Sequence, residues 1–289
     1  MLDYFYNLIT LLAFLSLLTL SLNIITGYIG YLNLGHVGFW AFGAYTFAIL
    51  TFSGVNFLLA MLAAGIIAGI TGFILGLPTL RLKSHFIAIV SLGFLYITYS
   101  LIINLDGITR GPLGIAGIPR PSLFGYDFQD NFSLMLLTLT ISAICGFILY
   151  RVLHSPFGKV LETIREDEIA AKALGKNTYM YKLQAFILSA FFAGIAGALS
   201  ASYFNYIGPG GFGIHQEIFF VAALMVGGAG SYWGSFLGTA IILSIEEISR
   251  FAPLAPNLVG PIRAIIYALI LICVMLWRPN GILGKKLKF

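Results

Sequence analysis

The chain has 289 residues, of which 59% are hydrophobic and only 9% charged, where a soluble domain carries about a quarter charged residues. Such a surface could not stay dispersed in water, so composition points to a bilayer and excludes a soluble globular domain. The net charge of +5 would suit nucleic acid, but an excess of Lys and Arg is also what membrane topology demands, and no nucleic-acid partner is expected.

Residues 4–80 contain no Asp, Glu, Lys or Arg. A charge-free run of about 20 apolar residues can cross hydrocarbon as a helix. Helix is favoured because lipid offers no partner to backbone N–H and C=O groups, and the period-2 alternation of a membrane barrel is absent. The runs predict spans at 5–26, 36–53, 57–79, 86–105, 132–150, 184–206, 217–231, 235–251 and 263–277. The expected fold class is all-α: a polytopic membrane protein of about nine transmembrane helices, with eight to ten allowed by the Gly-rich segments, some helices being broken or re-entrant. Length gives one transmembrane domain over 1–289, with no room for a separate soluble one. The N-terminus lacks a basic n-region and an A-x-A-like cleavage site, so its first apolar run is kept as a span.

The first span ends in Gly27-Tyr-Ile-Gly-Tyr-Leu-Asn-Leu-Gly-His-Val-Gly38, and Gly227-Gly-Ala-Gly-Ser-Tyr-Trp-Gly234 interrupts a late one. Glycine permits backbone conformations that break a helix. Broken backbone at membrane depth survives only inside protein or beside a watery cavity, and breaks in both halves point to a transport pathway. The pathway is assigned to Gly30, Asn33, Gly35, His36, Gly227, Gly228 and Gly230. Plain interfacial turns are the competing reading, and structural hydrogen bonding at a membrane boundary competes with cavity lining for Asn33 and His36. Gly65, Gly69, Gly72, Gly76, Gly194 and Gly197 have spacings that let helices approach closely, for which ordinary membrane packing is the milder account. The similarity of Ala64-Gly-Ile-Ile-Ala-Gly69 to Ala193-Gly-Ile-Ala-Gly197 hints at duplicated halves.

Of the 16 basic and 11 acidic residues, ten lie between Arg151 and Lys182. Ser155 and Pro156 suit a helix start, and Val160, Leu161 and Ile164 form an apolar stripe. Glu166 to Gly175 predicts a second short helix, with acids at its start, Lys172 and Lys176 near its end, and Gly175 as a C-terminal cap. Its small residues Ala170, Ala171 and Ala173 would fit a partner's groove; a solvated connector is the alternative. Arg81 and Lys83, this loop, and Arg278, Lys285, Lys286 and Lys288 place three basic segments on one face, the cytoplasmic one. Glu217 falls at a span start, and Glu246, Glu247 and Arg250 form either an intramembrane cluster or a wet boundary group. Cys145 and Cys273 lie in apolar runs and are expected to be core residues; no metal site is expected.

The run Ser155-Pro-Phe-Gly158, Ile164-Arg-Glu-Asp-Glu168, Ala170-Ala171, Gly175 and Tyr181-Lys-Leu-Gln-Ala-Phe186 resembles the permeases of branched-chain amino acid ABC importers, most closely the M-type subunit of the leucine/isoleucine/valine system. Gly27 to Tyr45, Leu80-Arg-Leu-Lys83, Gly111-Pro-Leu-Gly114 and Gly227 to Gly238 extend the likeness over about residues 22–284. The resemblance implies a cytoplasmic coupling loop, 154–182, docking on an ATPase through Arg165, Glu166, Asp167, Glu168, Ala170, Ala171 and Gly175. Many ABC permeases read Glu-Ala-Ala, three residues, Gly there; in this chain Ile169 stands at the Glu position and Glu168 one residue earlier.

The expected function is therefore that of a permease subunit of an ATP-driven importer of branched-chain or related amino acids, in the inner membrane of a prokaryote. Implied partners are a second similar permease, two ATPase subunits holding ATP and magnesium, an extracytoplasmic solute-binding protein, and membrane lipid. The chain itself carries no G-x-x-x-x-G-K-[ST] loop and no H-E-x-x-H or G-x-S-x-G constellation, so it is expected to be neither the ATPase nor another enzyme, with no cofactor of its own. A permease for urea or short amides, and a stand-alone secondary transporter or channel, are the alternatives; the latter would need an intramembrane ion site, and residues 4–80 offer no carboxylate.

Overall fold

The computed structural model describes residues 2–82, 84–123, 125–250, 256–277 and 281–284. Helix α1 (Leu2–Asn23) continues without a break into a wider π-helical turn over Ile24–Ile29. After an irregular stretch come α2 (His36–Phe52), α3 (Phe57–Thr79) and α4 (Ser84–Asn104). A short α5 (Asp106–Thr109) opens a loop region holding strands β1 (Ile115–Ala116), β2 (Ser122–Leu123) and β3 (Tyr126–Asp127). Then follow α6 (Asn131–Leu153), α7 (Pro156–Glu166), α8 (Glu168–Ala173), α9 (Thr178–Phe204), β4 (Tyr206–Ile207), α10 (Ile214–Gly227), α11 (Tyr232–Arg250) and α12 (Pro256–Trp277). Among the described residues six helices are long and apolar enough to cross a membrane: Leu2–Ile29, Phe57–Thr79, Phe86–Asn104, Asn131–Leu153, Thr178–Phe204 and Pro209–Gly227. The chain is an integral membrane protein.

Helix α9 is the hub of the bundle, and small residues let its neighbours reach it. A Cβ on Gly43 of α2 would collide with the backbone of Gly194, and one on Gly197 would lie 2.5 Å from the Trp40 carbonyl. On the other side a Cβ on Gly72 of α3 would come 2.9 Å from the Phe186 carbonyl. Without a hydrophobic force between lipid-bathed helices, close backbone approach and buried polar contacts hold the bundle. Trp40 Nε1 donates to Ser200 Oγ at 2.8 Å, Ser189 Oγ to the Ser21 carbonyl at 2.6 Å, and Thr239 Oγ1 to Thr19 Oγ1 at 2.7 Å. Gly72, Gly194 and Gly197 thus stand at close helix–helix contacts.

The two ends of the bundle differ. One end carries α7, α8 and the last turn of α3, where Tyr179 Oη donates to the Leu77 carbonyl at 3.2 Å. The other carries the 105–130 region, tied to the end of α9 by the antiparallel pair β1–β4 with Ile115 opposite Ile207. These two-residue strand pairs are an addition to the all-α expectation. A helix boundary also shifts: Glu166 closes α7, and Asp167 begins α8 as its cap, accepting from the amides of Ile169 at 2.8 Å and Ala170 at 3.0 Å.

Candidate functional site

The first interruption begins where Gly30 turns the chain with φ +84°, a left-handed conformation that favours glycine. The chain then runs back along α1, and α2 starts beside Ser21: His36 Nε2 and Ser21 Oγ are 2.8 Å apart. Ser21 lies about two helical turns, roughly 12 Å, before the end of the π-helical turn, so residues 30–35 re-enter the bundle. Ser91 of α4 holds the returning segment, its hydroxyl accepting from the Leu34 amide at 2.9 Å. Gly35 is required by proximity, since a Cβ there would strike the Ser91 carbonyl. Asn33 Oδ1 accepts from the Gly35 amide at 3.0 Å, which closes a local turn.

The new start of α2 exposes amides that need acceptors deep in the bundle. Glu217 of α10 supplies one: its Oε2 accepts from the Val37 amide at 2.8 Å, and the residue is fully buried. An acceptor oxygen there satisfies one of the amides that a helix start leaves without an intrahelical partner. Among the described residues, two buried polar atoms around this start, Asn33 Nδ2 and Glu217 Oε1, find no hydrogen-bond partner.

The second interruption spans 228–231, with φ +112° at Gly228 and +81° at Gly230. Asn23, the last residue of α1, clasps it with both amide atoms: Nδ2 donates to the Ser231 carbonyl at 2.9 Å, and Oδ1 accepts from the Gly230 amide at 2.8 Å. The C-terminal segment braces its other side, the Ile282 and Leu283 amides donating to the Val226 and Gly227 carbonyls at 3.0 Å each. The clasps are reciprocal: α10 caps the first interruption through Glu217, and α1 holds the second through Asn23.

The charged end connects to both. Arg165 of α7 donates to the Gly27 carbonyl in the π-helical turn. A Cβ on Gly30 would lie 3.0 Å from Arg165 Cγ, and one on Gly230 would lie 2.5 Å from its Nη1. The guanidinium therefore sits between the two interruptions. Burial lowers its pKa below the ordinary arginine value, against the opposing pull of Glu162 and Glu166. One turn on, Glu168 Oε1 accepts from Lys182 Nζ at 2.8 Å, Lys172 Nζ at 3.0 Å and Thr178 Oγ1 at 3.0 Å. Lys182, almost fully buried, also donates to Tyr31 Oη at 2.9 Å and lies over that ring. Partial burial alone would raise the pKa of Glu168, but its bonds from Lys182 and Lys172 outweigh that and hold it at about 2.

The sequence-predicted residues thus fall into two sets. Gly30, Asn33, Gly35, His36, Gly227, Gly228 and Gly230 do converge around the interruptions. Asn33 and His36 are both fully buried. Of the coupling residues, Glu166, Asp167, Ala170 and Gly175 are exposed, but Ala171 is fully buried against its own chain and Arg165 points inward. Ala171 therefore cannot offer a small face to a partner; the large apolar residues exposed on and just after α8 are Ile169 at 80% and Leu174 at 73%. Glu247 accepts from Tyr4 Oη at 3.1 Å near the end of α11, while the side chain of Arg250 lies outside the described residues, as do Lys83, Arg278, Lys285, Lys286 and Lys288. Glu217, Asn23 and Lys182 were not singled out as site residues; a carboxylate within an apolar span was the available signal for Glu217.

The family described as "Branched-chain amino acid transport system / permease component" matches residues 4–275. The high-affinity branched-chain amino acid transport system permease protein LivM of Escherichia coli K12 is 36% identical over 299 aligned positions, covering 95% of this chain and 68% of that protein. The protein of the same name from Salmonella typhimurium is 36% identical, covering 92% and 67%. Among solved structures, an inward-facing metal-chelate type ABC transporter shares the fold with a TM-score of 0.54 at 18% identity, over 94% of this chain and 85% of that one.

Proposed function

Because the chain belongs to the family of branched-chain amino acid transport system permease components, we propose that it carries such amino acids across the cytoplasmic membrane as one permease subunit of an ATP-driven importer. It is a transport subunit; ATP and magnesium act on separate ATPase partners. A second permease completes the pathway, and a solute-binding protein delivers the substrate from outside. About nine crossings, with the N-terminus outside, put the basic segments in the cytoplasm.

The observation that carries the mechanism is the position of Arg165. α7 and α8 form the surface on which an ATPase docks, through the exposed Ile169, Leu174 and Ala170. Movement of that surface is passed inward by Arg165 to Gly27 and toward Gly230, and by Glu168 through Lys182 to Tyr31. The first route reaches the π-helical turn and the edge of the second interruption, the other reaches Tyr31 in the first, and the Asn23 clasp holds the second interruption to the end of α1. A rigid-body shift of the charged end then repositions both interruptions together, which is alternating access around broken helices. The test is reconstitution: the permease pair with its ATPases and binding protein should import leucine only with ATP. Import by this chain alone, without ATPase, would overturn the reading.

A further inference from the structure

A groove of about 430 Å³ runs between α1 and α6, with the first turns of α11 along one side. Small residues line it: Ala13 and Ser16 on α1, and Ser142, Ala143 and Gly146 on α6. Its rims are large and stand out from the bundle, Leu139, Phe147 and Trp233 being 43%, 63% and 63% exposed. On α6 the lining recurs every three or four residues from Leu139 to Tyr150. The groove therefore follows the helix for about 16 Å, or three turns.

Two hydroxyls mark it. Ser16 is 4% exposed and Ser142 9%, and neither Oγ has a hydrogen-bond partner among the described residues. Elsewhere in the bundle Thr10, Thr19, Ser21, Thr98 and Ser202 each return the hydroxyl to a carbonyl three or four residues back. Ser16 stands beside the middle of the span Leu2–Ile29, and Ser142 at the middle of Asn131–Leu153. Both open hydroxyls therefore lie near mid-bilayer, one on each helix of the groove. Hydrocarbon tails offer no hydrogen-bond partner at that depth. A transmembrane helix does: small residues let its backbone approach, and serines bond across helix pairs. A second copy of this chain in a two-fold pair would set the groove against itself and fill neither side, because such an interface brings the same patch of each copy together. A different chain is free to present a ridge.

We propose that this groove seats a transmembrane helix of the second permease, and that the second permease is a different chain from this one. The proposal rests on the transport reading above and deepens it by assigning the surface on which the pair forms. Tyr232, at the groove's edge, directly follows the second interruption, so the seated helix borders the segment that Asn23 clasps.

Photocrosslinking in the assembled importer, with the second permease tagged, tests it. Trp233→p-benzoylphenylalanine at the rim should join this chain to the second permease. The same label at Leu59, exposed on α3 and outside the groove, should not. Ser16→Ala combined with Ser142→Ala should lower the amount of second permease recovered with this chain about fivefold or more, the scale of two interhelical hydrogen bonds in a membrane. Gly146→Leu, which fills the groove, should do the same. Should Gly146→Leu fail to accumulate, the serine pair, which removes two oxygens and adds no volume, carries the comparison. An adduct with a second copy of this chain, an adduct with phospholipid alone, or wild-type recovery in the serine pair would overturn the proposal. ATP-dependent leucine uptake by wild-type vesicles, with binding protein supplied, is read separately. Uptake without the Trp233 adduct removes this surface alone, whereas absence of uptake removes the transport reading beneath it.

Discussion

Arg165 of α7 and Gly27 of the π-helical turn are joined by a hydrogen bond across 138 positions of sequence. The bond brings a cation from the charged end of the molecule to the point where the first membrane helix changes its winding. π-Type turns within helices are uncommon and recur at functional sites. Here the turn leaves a carbonyl within reach of the guanidinium, and the same side chain borders Gly230 in the second interruption.

The glycines of the interruptions should not tolerate branching. Gly35→Val places a Cβ into the Ser91 carbonyl, and Gly228→Val forces a β-branched residue to φ +112°. Strain of that kind costs about 1–3 kcal/mol per residue. Leucine uptake should fall to background in both variants while the complex still purifies. Gly93→Ala, where an added Cβ meets nothing within 4 Å, is the control and should transport normally.

The Glu168 network predicts a pH response with a definite sign. Its folded pKa, about 2, lies below the ordinary 4.5, so the deprotonated form stabilises the fold. That stabilisation is fully present above about 4.5 and is lost as pH falls from there toward 2. Thermal melting of wild type and Glu168→Gln should therefore differ by a constant amount at neutral pH, and the gap should narrow in acid. A gap that opens between about pH 6 and 8 would show that another group is responsible.

Substitutions on α8 should separate folding from docking. Ala171 is fully buried, and overpacking such a site costs about 1–3 kcal/mol, so Ala171→Trp should lower the melting temperature of the permease. Ile169→Asp and Leu174→Asp change exposed positions and should leave melting unchanged while reducing ATPase recovered in a pull-down. The reverse pattern would place the docking surface elsewhere.

Sidedness is tested by labelling. Cysteines at the exposed Lys176 and Ser122 should react with an impermeant maleimide from opposite sides, the first from the cytoplasm and the second from outside. Reaction of both from one side would overturn the topology between them.

Much of this was legible in the sequence, for local reasons. Apolar runs placed the helices, Ser155 and Pro156 marked the start of α7, and paired glycines marked both interruptions, because each signal is carried by neighbours in the chain. What escaped was carried by pairs far apart. Nothing near Glu217 in sequence says that it caps a helix beginning 181 positions earlier, and nothing near Asn23 points to Ser231. Ala171 was misplaced for a related reason: a six-residue helix of small residues has no apolar stripe long enough to say which side faces inward, and only its packing decides.

The central claim is that Arg165 transmits ATPase motion to the interruptions. The most direct measurement is leucine imported per ATP hydrolysed by the Arg165→Ala complex in vesicles, with Arg165→Lys beside it. Hydrogen bonds made by charged groups contribute about 1.5–3 kcal/mol, or about ten- to a hundred-fold in an equilibrium. The account predicts that Arg165→Ala still assembles and hydrolyses ATP but imports at least about tenfold less leucine per ATP, with Lys restoring only part of the loss because it lacks the planar fork. A wild-type ratio in Arg165→Ala would contradict it.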